Sequence, residues 1–220
     1  MNPSWIAPLL LLSASACHSV ANLQDDTSDP TVIIHGADGD ELGVSTEYGI
    51  VFLGRYANRG RVEFSSWFGD GPSLEEGVIE PVGDHLYTTS AEIQLSNVPL
   101  LFDLPDPGDT VIVRGRHGGV AWEFEAILAT DPSVEGVLLE PSPKLNGLHN
   151  DQLGAGVYYL DIRGRKQLVG LVTGRVNIQT PDGSSRSYVT VSGPEQLWRL
   201  VLHRRNSERP KRKVYREDIL

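Results

Sequence analysis

Asp151-Gln152-Leu153-Gly154-Ala155-Gly156-Val157-Tyr158-Tyr159, followed by Gln167-Leu168-Val169-Gly170-Leu171-Val172-Thr173-Gly174, is the stretch on which the fold reading turns. Small residues cluster from Gly154 to Gly156, where a chain changing direction needs backbone freedom. The apolar runs after them are bounded by further turn residues and read as strands. Successive side chains of a strand face opposite ways, so one of Tyr158 and Tyr159 faces away from the core and is a candidate for ligand contact.

The same pattern extends outward. Thr31-Val32-Ile33-Ile34, Tyr48 to Leu53, Arg61-Val62-Glu63-Phe64, Thr110 to Arg114 and Glu123 to Leu128 are short and rich in β-branched or aromatic residues. The 23 glycines and 14 prolines of the 220-residue chain fall mostly between such runs, as turn residues do. The chain is therefore all-β, a barrel or a β-sandwich. One segment departs from this period: Leu197, Leu200 and Val201, with Arg204, stand at helical spacing after Ser192 and Gly193, which predicts a single C-terminal helix.

Four segments, in order, resemble the trypsin-like serine proteases. Gly77-Val78-Ile79, a turn, and Leu86-Tyr87-Thr88-Thr89-Ser90-Ala91 are similar to the family's Gly-Val-Ile strand, turn, and apolar strand ending in Thr-Ala-Ala-His. Phe124 to Leu139 resembles its strand, Asp-Pro and Asp-Leu-Ala-Leu-Leu run. The opening turn resembles Gly-Asp-Ser-Gly-Gly-Pro-Val, and Ser187 to Ser192 with Trp198 is similar to the final strand and helix. On this register the resemblance puts Ala91 in the place of the histidine base, Glu135 in that of the orienting acid and Leu153 in that of the serine. An aliphatic side chain has no lone pair to attack with, and Ala91 accepts no proton. Only 17 residues separate Glu135 from Leu153, so the resemblance implies a truncated second barrel. It also implies a groove beside Gly154, Gly156 and Tyr158, where an extended peptide or partner segment adds to a strand edge.

Other chemistry is weakly patterned. The six histidines, His18, His35, His85, His117, His149 and His203, lack the close pairing of zinc sites, and the chain holds one cysteine, so no metal or other cofactor is expected. Asp38-Gly39-Asp40-Glu41 has part of a calcium loop's carboxylate spacing without its closing Glu, and reads as a solvated turn. His149 with Ser142 or Asp151 offers hydrolase residue types, yet nothing in the spacing brings a nucleophile, base and orienter together.

The ends carry their own signals. Trp5 to Leu12 is an apolar run, shorter than a bilayer-spanning helix, and Ser13-Ala14-Ser15-Ala16 leads into Cys17. This resembles the signal and lipobox of bacterial lipoproteins and implies an exported protein acylated at Cys17, on the outer membrane or the periplasmic face; simple secretion is the alternative. Residues 1–16 then form the signal peptide, 17–30 a polar acidic tether, 31–203 the β domain and 204–220 a basic tail. The net charge is −10, although residues 199–218 hold eight Lys or Arg against three Asp or Glu, so the remainder is strongly acidic. An acidic body disfavours nucleic acid as a partner. Three functions remain open: a catalytically inactive module binding a peptide or protein, a serine peptidase with other catalytic residues, and a structural envelope lipoprotein.

Overall fold

The computed structural model describes residues 29–56, 60–67, 72–83, 85–89, 96–117, 120–140, 152–179 and 183–208. Ala91, Cys17, His18, Ser142, His149 and Asp151 lie outside them. Seven strands come first: β1 (Thr31–Gly36), β2 (Gly39–Thr46), β3 (Gly49–Phe52), β4 (Arg61–Trp67), β5 (Pro72–Val78), β6 (Glu80–Gly83) and β7 (Leu86–Thr89). They form one antiparallel sheet in the order β5-β4-β1-β2-β3-β7-β6. Six more follow: β8 (Thr110–His117), β9 (Val120–Ala129), β10 (Val137–Glu140), β11 (Gly156–Leu160), β12 (Lys166–Gln179) and β13 (Ser185–Ser192). These close into a barrel in the order β10-β13-β12-β11-β8-β9.

The all-β class with one C-terminal helix is as expected from sequence. The division of strands is different from the expectation, because the second barrel is closed by six strands and the N-terminal sheet is the open one. The reason is register. Phe124 to Leu139, aligned with the end of a first barrel, pairs as β9 and β10 (Leu138 opposite Ala129, Leu139 opposite Leu128) inside the second. The short interval before Leu153 had therefore already been preceded by three of that barrel's strands.

The period-two alternation of the N-terminal strands covers both faces of their sheet. Val32, Ile34, Ile50, Phe52, Val62 and Phe64 form one buried cluster. On the opposite face, Leu42, Val44, Val51 and Leu53 join Val111, Val113, Val157, Leu171 and Val189 of the barrel in a second, larger cluster. A sheet apolar on both sides needs two partners, and here the second partner is the barrel. Helix α1 (Pro194–Glu208) starts on Pro194, whose missing N–H costs nothing at a first helical position. Leu197, Leu200 and Val201 enter the same larger cluster. Trp198 stays 40% exposed and meets Phe102 edge-on. No helix among the described residues is long and apolar enough to cross a membrane.

Two polar contacts among the described residues pin the sheet to the barrel beside the larger apolar cluster. The first is the Asp29 carboxylate, which belongs to the folded body and not to the tether. Its side chain is fully buried; it accepts from Arg116 Nε at 2.8 Å, from Arg114 Nε at 3.2 Å and from the Thr31 N–H at 3.0 Å. Arg116 also lies 4.4 Å over the Trp67 ring at the end of β4. The second is at Gly154: the Leu42 N–H donates to the Leu153 carbonyl at 3.3 Å, and a Cβ on Gly154 would collide with the Leu42 carbonyl. Gly154 has φ +84°, a conformation that also excludes a side chain at low cost.

Both contacts make predictions. Asp29→Asn removes the buried anion that Arg114 and Arg116 share, although Arg114 keeps Glu123 at 3.1 Å, and is expected to cost about 3–5 kcal/mol in urea denaturation. Burial pushes the Asp29 carboxyl up, but Arg114 and the Thr31 hydrogen bonds outweigh it and hold the group below the ordinary 3.8. A depressed folded value means the contribution is complete above about pH 4 and is lost as pH falls through the folded value. Wild-type stability should fall over that acid range, and the Asn variant should lose this part of the slope. Gly154→Ala is expected to cost roughly 2–4 kcal/mol from left-handed strain and collision together.

Candidate functional site

Leu153 sits in the short turn Gln152–Ala155 that feeds β11. Three further backbone bonds hold that turn: Gly154 N–H to Val172 carbonyl at 2.8 Å, Val172 N–H to Ala155 carbonyl at 2.9 Å, and Ala155 N–H to Gln152 carbonyl at 3.1 Å. The turn is thus laced to β12 on one side and, through Leu42, to β2 on the other. Leu153 itself is 7% exposed and belongs to the larger apolar cluster. At this position the side chain is packing material.

The other residues expected at the site are placed differently. Glu135 is exposed, in the connection between β9 and β10 of the closed barrel. Among the described residues no hydrogen bond or ion pair joins it to the turn. Ala91 is outside the described residues. Gly154 and Gly156 are buried, and Tyr158 is 0% exposed, so these three do not line an open groove. Gly156 and Tyr158 share one face of β11, and the Tyr158 phenol lies against Gly156 in the space a side chain there would fill. Burial pushes this phenol far up, and the nearby Asp29 carboxylate adds to the shift. Of the tyrosine pair, Tyr159 is the half-buried member.

An open edge does lie beside the turn. β12 pairs with β11 from Lys166 to Leu171 and with β13 from Leu171 to Gln179. Among the described residues no strand pairs with the β11-side edge of β12 between Thr173 and Gln179. Exposed and half-buried residues alternate along that segment, from Thr173 through Arg175, Asn177 and Gln179 on the outer side.

Around the β1–β2 hairpin the structure assembles groups whose grouping was not anticipated. Glu41, expected in a solvated turn, is 3% exposed. Burial pushes its carboxyl up, and the N–H groups of Arg55 and Tyr56, which donate to it at 3.1 and 3.5 Å, only partly offset this. Its neighbour Asp40 points to the other face, where Oδ1 lies 3.0 Å from His35 Nδ1, and His35 Nε2 lies 2.7 Å from Ser65 Oγ. The sequence signal for the first pair was present: Gly36 and Gly39 close a two-residue turn, which sets His35 opposite Asp40. Ser65 arrives from β4, thirty residues away, and had no such local sign. Elsewhere His203 Nε2 meets Glu80 at 2.6 Å, fastening α1 to β6.

No protein-family model matches the chain, and no curated protein matches it. Solved structures do. The serine protease of human pathogenic astrovirus superposes with a TM-score of 0.52 at 12% identity, covering 74% of this chain and 90% of that one. An inactive form of Rv3671c from M. tuberculosis gives 0.51 at 14% identity, over 84% and 90%. The serine endoprotease of Yersinia pestis gives 0.55 at 15% identity, over 83% of this chain and 65% of that one. At such identities the likeness speaks for the fold alone: the closed six-stranded barrel, the half-barrel sheet and the terminal helix match a trypsin-like double-barrel fold.

Proposed function

We propose that this chain is an exported lipoprotein, acylated at Cys17, whose trypsin-like domain does not hydrolyse peptides at the inherited site and instead binds an extended peptide or partner segment. The observation that supports the reading is Leu153, which the resemblance puts in the nucleophile's place and which is buried in apolar packing. The register that puts Leu153 in the serine's place puts Ala91 in the histidine's, and an alanine accepts no proton. Without a base, amide donors near the turn have no charge to stabilise. The β11-side edge of β12 from Thr173 to Gln179, which no strand among the described residues pairs, supplies the binding mode by extending the ladder onto a ligand strand.

Three outcomes are expected. Purified mature protein binds members of an extended-peptide library in fluorescence anisotropy without cleaving them, and N-methylation at alternate ligand amides weakens binding at least about tenfold, the worth of one or two hydrogen bonds. Leu153→Ser yields no peptidase activity, because nothing takes the hydroxyl proton, and loses roughly 2–5 kcal/mol of stability. Metabolic labelling with a fatty acid in a bacterial host marks the chain and fails in Cys17→Ser. Cleavage of library peptides by the wild type sinks the binding-only reading.

A further inference from the structure

We propose that Ser65, His35 and Asp40 form a nucleophilic centre for activated esters, distinct from the Leu153 turn and independent of the peptide-binding reading. All three stand on one face of the N-terminal sheet. His35 on β1 is directly opposite Asp40 on β2. Ser65 on β4 is opposite Ile33, two residues from His35, and is therefore its diagonal neighbour on the same face. The sheet ladders fix the three backbones, so the spacing is set before any substrate arrives.

The chemistry of the groups assigns the protons. An ionised carboxylate only accepts, so the 3.0 Å contact is a donation from His35 Nδ1–H to Asp40. In the neutral ring this leaves the lone pair on Nε2, and the 2.7 Å contact is a donation from the Ser65 hydroxyl to it. The nucleophile, base and orienter relationship required for acyl transfer is thus present by geometry. The His35 side chain is 31% exposed and that of Asp40 59%, so solvent and small molecules reach the chain of bonds.

The surroundings restrict the substrate. Asp38 and Glu63 are exposed nearby, Glu63 being opposite His35, and they repel anions. Trp67, on the same face two residues beyond Ser65, is half-buried with Arg116 over its ring. Ser65 lies in a strand paired on both sides, with β1 and with β5, so its neighbouring amides serve the ladders and no amide pair is set aside for an oxyanion. The substrate class is accordingly a neutral or cationic ester with a good leaving group, such as an aryl ester. In the first step Ser65 Oγ bonds to the carbonyl carbon as its proton passes to Nε2. The carbon–oxygen bond to the alcohol then breaks, and the departing oxygen takes that proton. Water, deprotonated by the same nitrogen, cleaves the acyl-serine to the acid and restores the hydroxyl.

A fluorophosphonate probe and an aryl acetate test this on the purified mature protein. The expected result is an adduct mapped by peptide mass spectrometry to Ser65 in the wild type, with ester hydrolysis that Ser65→Ala lowers on the order of 100-fold or more. His35→Gln should slow labelling at Ser65 similarly, and Asp40→Asn should slow it at least about tenfold, with circular dichroism reporting the fold of each. Absence of a Ser65 adduct on the wild type overturns the proposal whatever the variants do, as does labelling at Ser65 that a folded His35→Gln leaves unchanged. Peptide-library cleavage, by contrast, bears on the binding reading alone.

Discussion

The Asp29 carboxylate, buried between Arg114 and Arg116, is the constraint on which the relation of the two halves depends. A buried charge is tolerated only when its partners are held in place, and Asp29 draws those partners from β8 while it stands at the start of β1. Arg116 extends the contact to Trp67, so one anion links the start of the sheet, the end of β4 and the first strand of the barrel. With no second cysteine in the chain, no disulfide shares this task. Besides this anion and the Leu42–Leu153 hydrogen bond, the seam holds apolar contacts: Leu42, Val44, Val51 and Leu53 against the barrel wall. Apolar burial supplies much of the free energy of such a seam but leaves its angle loose, whereas a charge held by two guanidinium groups selects one arrangement.

That fixed seam determines what the Leu153 turn can be. In a site built for attack, the residue at the turn must reach a substrate in solvent. Here the turn is bonded to Leu42 and its side chain is enclosed by the cluster that joins the halves. Leucine at this point contributes apolar burial of roughly 2 kcal/mol that serine would not. Catalysis and cohesion compete for the same few cubic ångströms, and in this chain the position belongs to cohesion.

How far the sequence disclosed this depended on the range of the interaction. The strand type, the lone helix at Leu197, Leu200 and Val201, and the turn before β11 are local in origin, and their periods are readable from neighbours. Barrel membership is not local. Phe124 to Leu139 has the same apolar alternation in either barrel, and only the pairing of Leu139 with Leu128 and Val189 decides. For the adjacent pair Tyr158 and Tyr159, alternation says that one faces inward, and only the placement of β11 between β8 and β12 makes it Tyr158. The Ser65–His35–Asp40 bonds divide along the same line: the hairpin supplies one partner by sequence proximity, and the other comes from strand order.

Strand order also explains why a reactive group can arise on the N-terminal sheet at all. A strand with a neighbour on each side carries three side chains abreast on one face, and β1 is such a strand, between β2 and β4. Ile33 in that row packs against the seam, while His35, one step nearer the hairpin tip, is only partly covered. Moving two residues along the strand therefore trades apolar cohesion for solvent access without altering backbone geometry. The rigidity that buries the Leu153 turn in the seam is the same rigidity that holds His35 between an acid and a hydroxyl near the hairpin tip.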